Sequence, residues 1–85
     1  MSYPSNIWKQ IKNITKARMI DALVDDGFHI DEKIRTERIY RHPDGRRVSI
    51  HYHKGNETFG PSLLKGILKD IGWNGKDLRR LKLIK

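Results

Sequence analysis

The 85-residue sequence contains no cysteine, and that absence excludes several kinds of protein. Disulfide scaffolds, cysteine-ligated zinc sites and thiol nucleophiles all depend on this residue. A chain of this length makes one small domain, which must then be held together by packing alone. The lack of cysteine is also compatible with a reducing compartment, so we expect a cytoplasmic protein.

Long apolar runs are equally scarce. No stretch approaches the ~18 consecutive apolar residues that a membrane-spanning helix requires. The N-terminus, Met1-Ser2-Tyr3-Pro4, has neither the basic start nor the apolar core of a signal peptide. The sequence therefore predicts a protein without a membrane partner.

Acidic residues are few in the later part of the chain. Residues 1–32 hold four basic and five acidic side chains, whereas residues 33–85 hold fourteen basic and five acidic ones, so the formal net charge of +8 arises in the second part. A basic surface attracts polyanions, because each phosphate that it neutralises releases condensed counterions. Nucleic acid is the first partner that this pattern favours. A surface charged only for solubility fits the composition equally well.

The residues that are present indicate a β-hairpin in the middle of the chain. Two runs rich in β-branched and aromatic residues, 39–40 and 48–52, flank a turn sequence, HPDG, at 42–45. In the second arm a period of two separates an apolar row, expected to face the core, from a polar row that is available for chemistry. The apolar row is Val48, Ile50 and Tyr52, and the polar row is Arg47, Ser49, His51 and His53.

Helices are predicted on both sides of the hairpin. Spacings of three and four indicate a short helix within 1–14, one over 16–26 capped by Thr15, and one from Pro61 that ends at Gly72. A weak strand within 28–34 and a short helix over 76–81, with Asn74 as its candidate cap, complete the pattern. The predicted fold class is α+β, with two or three antiparallel strands packed on helices and a helical addition at each end. The expected core faces of the two longer helices are Met19, Ile20, Leu23 and Val24, and Leu63, Leu64, Ile67, Leu68 and Ile71.

Four segments, taken in order, resemble the HicA toxins of bacterial toxin–antitoxin pairs. They are the helix end at Gly27-Phe28, the strand RIYRHPDGR at 38–46, the strand VSIHYH at 48–53, and the helix LLKGILKDIGW at 63–73. Their order and spacing carry the resemblance, which covers residues 16–81. We therefore divide the chain into an N-terminal extension, residues 1–14, and a HicA-like domain, residues 15–85.

The resemblance implies both a fold and an activity. The fold is like that of a double-stranded-RNA-binding domain, α-β-β-β-α, with a three-stranded antiparallel sheet packed on helices. The activity is endoribonuclease cleavage of messenger RNA without metal or cofactor, and the implied protein partner is an inhibitory HicB-type antitoxin.

One position departs from the family pattern. Family members usually carry Gly-Ser-His just before the hydrophobic strand, with that histidine as the catalytic residue, but the matching residues here are Arg35, Thr36 and Glu37. RNA cleavage needs a group that accepts the 2′-OH proton. We predict Glu37 in that role, and an ion-pair partner for Arg35 or Arg38 is an equally good interpretation. If Ile39 turns toward the core, Glu37 shares its side, where burial would raise its pKa and nearby arginines would lower it.

His51 and His53 are the other catalytic candidates. They share one face of a strand and could assist a carboxylate in acid–base chemistry, while a structural or RNA-contacting role is an equal alternative. No third ligand is spaced to join them, so no metal site is predicted. His53 matches a histidine often seen at the end of that strand in the family, whereas His51 stands where proline is common. His29 and His42 are expected to be solvated.

Basic side chains crowd the hairpin and its entry. Guanidinium suits phosphate because its planar fork bonds two oxygens at once. Tyr40 is expected in the core rather than as a platform for stacked bases.

Two functions remain, namely a HicA-like nuclease and a catalytically impaired RNA-binding or antitoxin-binding module of the same fold. The predicted RNA-binding residues are Arg35, Thr36, Arg38, Arg41, Arg46, Arg47 and Lys54.

Overall fold

A computed structural model describes residues 3–31, 38–51 and 56–85. The described residues form one antiparallel sheet, in the strand order β1-β2-β3, together with four helices, which confirms the predicted α+β class and the order of its elements. No helix in these ranges is long and apolar enough to cross a membrane. The elements are α1 (Ser5–Ile11), α2 (Lys16–Asp25), β1 (His29–Ile30), β2 (Arg38–Arg41), β3 (Arg47–Ile50), α3 (Pro61–Ile71) and α4 (Gly75–Arg80).

The residues at the two ends of α2 are those that the sequence predicted. The Thr15 hydroxyl accepts a hydrogen bond of 3.1 Å from the backbone N–H of Arg18, which satisfies a donor that the first turn leaves without a helical partner. After the helix, Gly27 has a φ of +102°. A Cβ at Gly27 would also lie 3.1 Å from Nε2 of His42, so both the backbone angle and the neighbouring ring favour glycine.

α3 begins and ends at the predicted residues, and α4, predicted over 76–81, lies one residue earlier, at Gly75–Arg80. Pro61 occupies the first turn of α3, and Gly72 ends it with a φ of +77°. α4 begins with a reciprocal capping box, in which the Asn74 side chain accepts from the backbone N–H of Asp77 at 2.9 Å and the Asp77 carboxylate accepts from that of Asn74 at 3.0 Å. Trp73, between the two helices, is folded back into the core and 1% exposed.

All four helices and one face of the sheet share a single core. Ile7 and Ile11 of α1 pack into the same cluster as the buried residues of α2 and α3, so the predicted extension 1–14 contributes to this core. Two residues predicted on the buried helix faces are instead exposed: Val24 by 56% and Leu63 by 53%. Each lies one residue, or about 100° of helix rotation, beyond the contacting stripe. The apolar residues of these helices therefore span a wider arc than the contact covers.

The register of the hairpin decides which residues of β2 face that core. Tyr40 pairs with Val48 and Ile39 pairs with Ser49. Directly paired residues in an antiparallel sheet point to the same side, so Tyr40 joins Val48 and Ile50 in the core cluster. Ile39 is 2% exposed but lies on the opposite side. Ile39 is therefore buried on the side of the sheet away from the main cluster, and Glu37, whose predicted burial was linked to it, lies outside the described residues.

Candidate functional site

Two arginines stand directly opposite each other on the outer face of the hairpin. Arg41 of β2 pairs with Arg47 of β3, and both residues are exposed. Like charges in directly opposed positions destabilise a sheet. Arg41 is compensated by Asp31, whose Oδ2 lies 2.8 Å from its Nε. The two arginines and Asp31 together carry a net charge of +1, which an anionic ligand would neutralise.

The arginines that the sequence groups together are divided between the two sides of the sheet. Arg38 pairs with Ile50, which belongs to the core side, whereas Arg41 and Arg47 share the side of Ile39. Arg38 is nevertheless exposed at the start of β2. A single flat phosphate-binding surface would hold Arg41 and Arg47 but not Arg38.

Arg46 has a structural role that the sequence analysis did not assign to it. Its Nε donates to Oδ2 of Asp44 at 2.7 Å, and its Nη1 donates to the carbonyl oxygen of Ile71 at 2.8 Å. The guanidinium also lies 5.1 Å from the ring centre of Phe28 and 3.5 Å from a carboxylate oxygen of Asp26. These contacts connect the hairpin turn to the ends of α2 and α3.

The expectation that His42 is solvated is wrong. Its side chain is 19% exposed, and its Nε2 donates to the backbone carbonyl of Asp26 at 2.9 Å. Its ring meets the ring of Phe28 edge to face, with centroids 5.0 Å apart. The turn sequence indicated that His42 lies at a loop, but not that this loop folds against the end of α2. His29 is exposed, as expected.

Asp26 is the centre of a charged network that sequence patterns did not reveal. One carboxylate oxygen accepts from the indole N–H of Trp73 at 2.8 Å, and the other accepts from Nη2 of Arg80 at 2.7 Å. Burial opposes the charged form, but these two hydrogen bonds and the positive charges of Arg80 and Arg46 outweigh it, so the pKa of Asp26 is lowered. The network connects α2, the hairpin turn and α4.

His51 is described immediately after β3, where it is exposed. Its carbonyl oxygen accepts a hydrogen bond of 2.6 Å from Nζ of Lys16 at the start of α2. The same Nζ lies 3.4 Å from the carboxylate of Glu57. Lys16 is thus a positioning residue for the end of β3, and sequence spacing alone gave no signal for it, because it lies 35 residues from His51.

The remaining site predictions fall outside the described residues. Among the residues that are described, no group of three or more histidine, aspartate or glutamate side chains could hold a metal ion. The roles predicted for the described arginines and His51 remain predictions as well. The predicted residues outside the described ranges are Arg35, Thr36, Glu37, His53 and Lys54.

The fold and the basic hairpin together define a small α+β protein that is consistent with a double-stranded-RNA-binding-domain-like architecture. A family model described as the HicA toxin of bacterial toxin–antitoxin systems matches residues 17–73, more than half of the chain. The chain therefore belongs to the HicA toxin family. This family implies an antitoxin partner. No curated protein matches the sequence.

Proposed function

We propose that this protein is a cytoplasmic endoribonuclease toxin that cleaves messenger RNA and is neutralised by a HicB-type antitoxin. Membership of the HicA toxin family carries the proposal. The exposed Arg41–Arg47 pair supports it, because guanidinium groups suit the phosphates of RNA.

The chemistry proposed for the site is transesterification at one phosphodiester. Glu37 accepts the proton of the 2′-OH, and the freed oxygen attacks the adjacent phosphorus. The bond from phosphorus to the 5′-oxygen breaks, and that oxygen takes a proton from His53 or His51. Arginine side chains stabilise the negative charge that builds on phosphorus. The products are a 2′,3′-cyclic phosphate and a free 5′-hydroxyl, and no metal enters the reaction.

A cleavage assay on the purified protein tests this proposal directly. End-labelled messenger RNA is incubated with and without EDTA, and the termini of the products are identified. We expect equal cleavage under both conditions, with cyclic phosphate ends. Loss of cleavage in EDTA, or 5′-phosphate ends, would contradict the mechanism. Expression in cells without an antitoxin should stop growth.

A second function is favoured by one feature of the sequence. Arg35, Thr36 and Glu37 replace the Gly-Ser-His of the family, so the usual base is missing. A protein that has lost its base could persist as an RNA-binding or antitoxin-binding module. RNA binding without cleavage and without growth arrest would identify this function.

The proposed antitoxin should be acidic where it meets the basic hairpin. Complementary charge steers association and suppresses other partners. We expect a dissociation constant on the order of nanomolar, with Arg38, Arg41 and His53 covered in the complex. The product of the gene beside this one is the partner to test, and RNA binding that persists unchanged in its presence would argue against neutralisation at this surface.

A further inference from the structure

The excess positive charge lies almost entirely outside the part of the chain that matches the family. Residues 17–73 contain ten basic and nine acidic side chains, a net charge of +1. The flanking residues 1–16 and 74–85 contain eight basic and one acidic side chain, a net charge of +7. The hairpin alone therefore does not account for the basic character of this protein.

The fold brings these two flanks together. The backbone N–H of Lys85 donates to the side-chain oxygen of Gln10 at 2.8 Å, across 75 residues of sequence. α1 and α4 also meet closely, since a Cβ placed on Gly75 would lie 3.2 Å from Cδ1 of Ile7. The two flanks therefore pack against each other and are not two separate tails.

A cavity of about 300 Å³ lies where the flanks meet. Arg18 contributes its guanidinium and is fixed there by a hydrogen bond of 2.8 Å from Nη2 to the carbonyl oxygen of Leu81. Lys82 contributes a second cation and has a φ of +61°, which side-chain-bearing residues seldom adopt. The cavity is lined by Gln10, Asn13, Ile14, Thr15, Arg18, Lys82 and Leu83.

The lining offers hydrogen-bond donors together with positive charge, which is the combination that binds a phosphodiester. Lys9, Lys12, Lys82 and Lys85 are exposed in the two flanks. Within the described residues no carboxylate forms an ion pair with any of these four lysines. We name the cavity and these four lysines the terminal basic surface.

The terminal basic surface continues to the candidate site. Thr15 lines the cavity, and the next residue, Lys16, reaches the carbonyl oxygen of His51 at 2.6 Å. Thr15 also forms an isolated β-bridge with Thr58. The start of α2 therefore lies between the cavity and the end of β3, so one extended strand could contact both.

We infer that the terminal basic surface binds the phosphate backbone of the RNA substrate beyond the bond that is cut. This inference rests on the proposed function, because RNA is the ligand that both surfaces share. The terminal basic surface contributes affinity for longer RNA, while the hairpin provides the chemistry. It carries no base specificity, because contacts to phosphate position a nucleic acid without reading its sequence.

The test compares two variants that lose the same amount of charge. Lys82→Asn with Lys85→Gln removes two cations of the terminal basic surface, and asparagine tolerates the positive φ at 82. Lys69→Gln with Lys76→Gln removes two exposed cations that do not line the cavity. Binding of a 2′-O-methyl RNA, which has no 2′-OH to attack, is measured against salt for a short and a long strand. Circular dichroism confirms that each variant is folded.

For the long strand, we expect the first variant to reduce the slope of log K against log salt by about 0.7 to 0.9 for each phosphate contact removed. The slope for the short strand, and both slopes of the second variant, should stay near those of the parent. The inference would be overturned if the slope for the long strand changed equally in the two variants, or if it did not change in the first. It would also be overturned if the first variant bound RNA as the parent does but no longer bound a co-expressed acidic protein. Because this RNA cannot be cleaved, a parent that binds it without cutting ordinary RNA would contradict only the proposed nuclease activity.

Discussion

The ammonium group of Lys16 lies 2.6 Å from the carbonyl oxygen of His51 and 3.4 Å from the carboxylate of Glu57. The backbone of Lys16 adds a third contact, because its N–H donates to the carbonyl oxygen of Glu57 at 2.7 Å. His51 and Glu57 stand on either side of residues 52–55, which include the candidate His53. The first residue of α2 therefore contacts the chain both before and after this segment.

Replacing Lys16 tests that connection. Lys16→Met keeps an unbranched side chain but removes the ammonium group, which also lies 5.7 Å from the ring centre of Phe59. We expect the free energy of unfolding to fall by about 1–2 kcal/mol, as hydrogen bonds from a charged donor are lost. The rate of RNA cleavage should fall further than this loss of folded protein explains, measured in single turnovers. Lys69→Met, at an exposed position outside the terminal basic surface, is the control, and equal behaviour of the two variants would show that Lys16 positions nothing.

The sequence predicts those parts of the fold that depend on neighbouring residues. Each of four residues acts within a few positions, through a cap or a positive φ, so the sequence predicted the ends of these helices to within one residue. These residues are Thr15, Gly27, Gly72 and Asn74. The hairpin strands followed from alternation and the turn sequence. These signals are local, and the predicted element order is confirmed.

The parts that were missed depend on which distant segments meet. Asp26 bonds Trp73 and Arg80, which lie 47 and 54 residues further along the chain. The sequence predicted Tyr40 in the core, but only the pairing register shows that the adjacent Ile39 is buried on the other side of the sheet. Neither the amino-acid composition nor the spacing of apolar residues shows which distant segments pack together. For the candidate site, the sequence indicated residue types, while the division of the arginines between two sides of the sheet came from the register.

The Arg41–Arg47 pair leads to a prediction about RNA affinity. Arg47→Gln should weaken binding to RNA of any sequence and reduce the magnitude of the salt slope by about 0.7 to 0.9, because a phosphate contact is lost. Asp31→Asn should act in the opposite direction, because it removes the carboxylate that pairs with Arg41 at 2.8 Å. Both effects are measured with RNA that cannot be cleaved, over a range of salt concentrations. Arg47→Gln binding that matches the parent would place the RNA on another surface.

The Asp26 network leads to a prediction about acid stability. The pKa of Asp26 is lowered in the folded protein, so its ionised form stabilises the fold at pH values above its unfolded pKa of about 3.9. That contribution is lost as the pH falls through the lower, folded value. Asp26→Asn should destabilise the protein at neutral pH by about 1–3 kcal/mol. It should also flatten the dependence of unfolding free energy on pH in the acidic range.

Denaturant titrations at several acidic pH values check the Asp26 prediction. Asp25→Asn is a matched control, because Asp25 is the preceding, exposed carboxylate at the end of α2. If the two variants change with pH in the same way, the network around Asp26 does not provide the acid-sensitive stability. Arg80→Gln should reproduce part of the Asp26 effect, since it removes the partner at 2.7 Å.

The identity of the catalytic base is tested by substitutions at Glu37. If this carboxylate accepts the 2′-OH proton, Glu37→Gln should keep the fold and the RNA affinity but reduce the cleavage rate by about 10²- to 10⁴-fold. The acidic limb of the pH–rate profile should disappear with it. Glu37→His should restore activity or raise it, because imidazole titrates near neutrality. Single-turnover rates over a range of pH, with binding measured separately, distinguish these effects. The base would instead be a histidine that follows β3 if Glu37→Gln cleaved RNA at the rate of the parent while His53→Ala or His51→Ala was inactive.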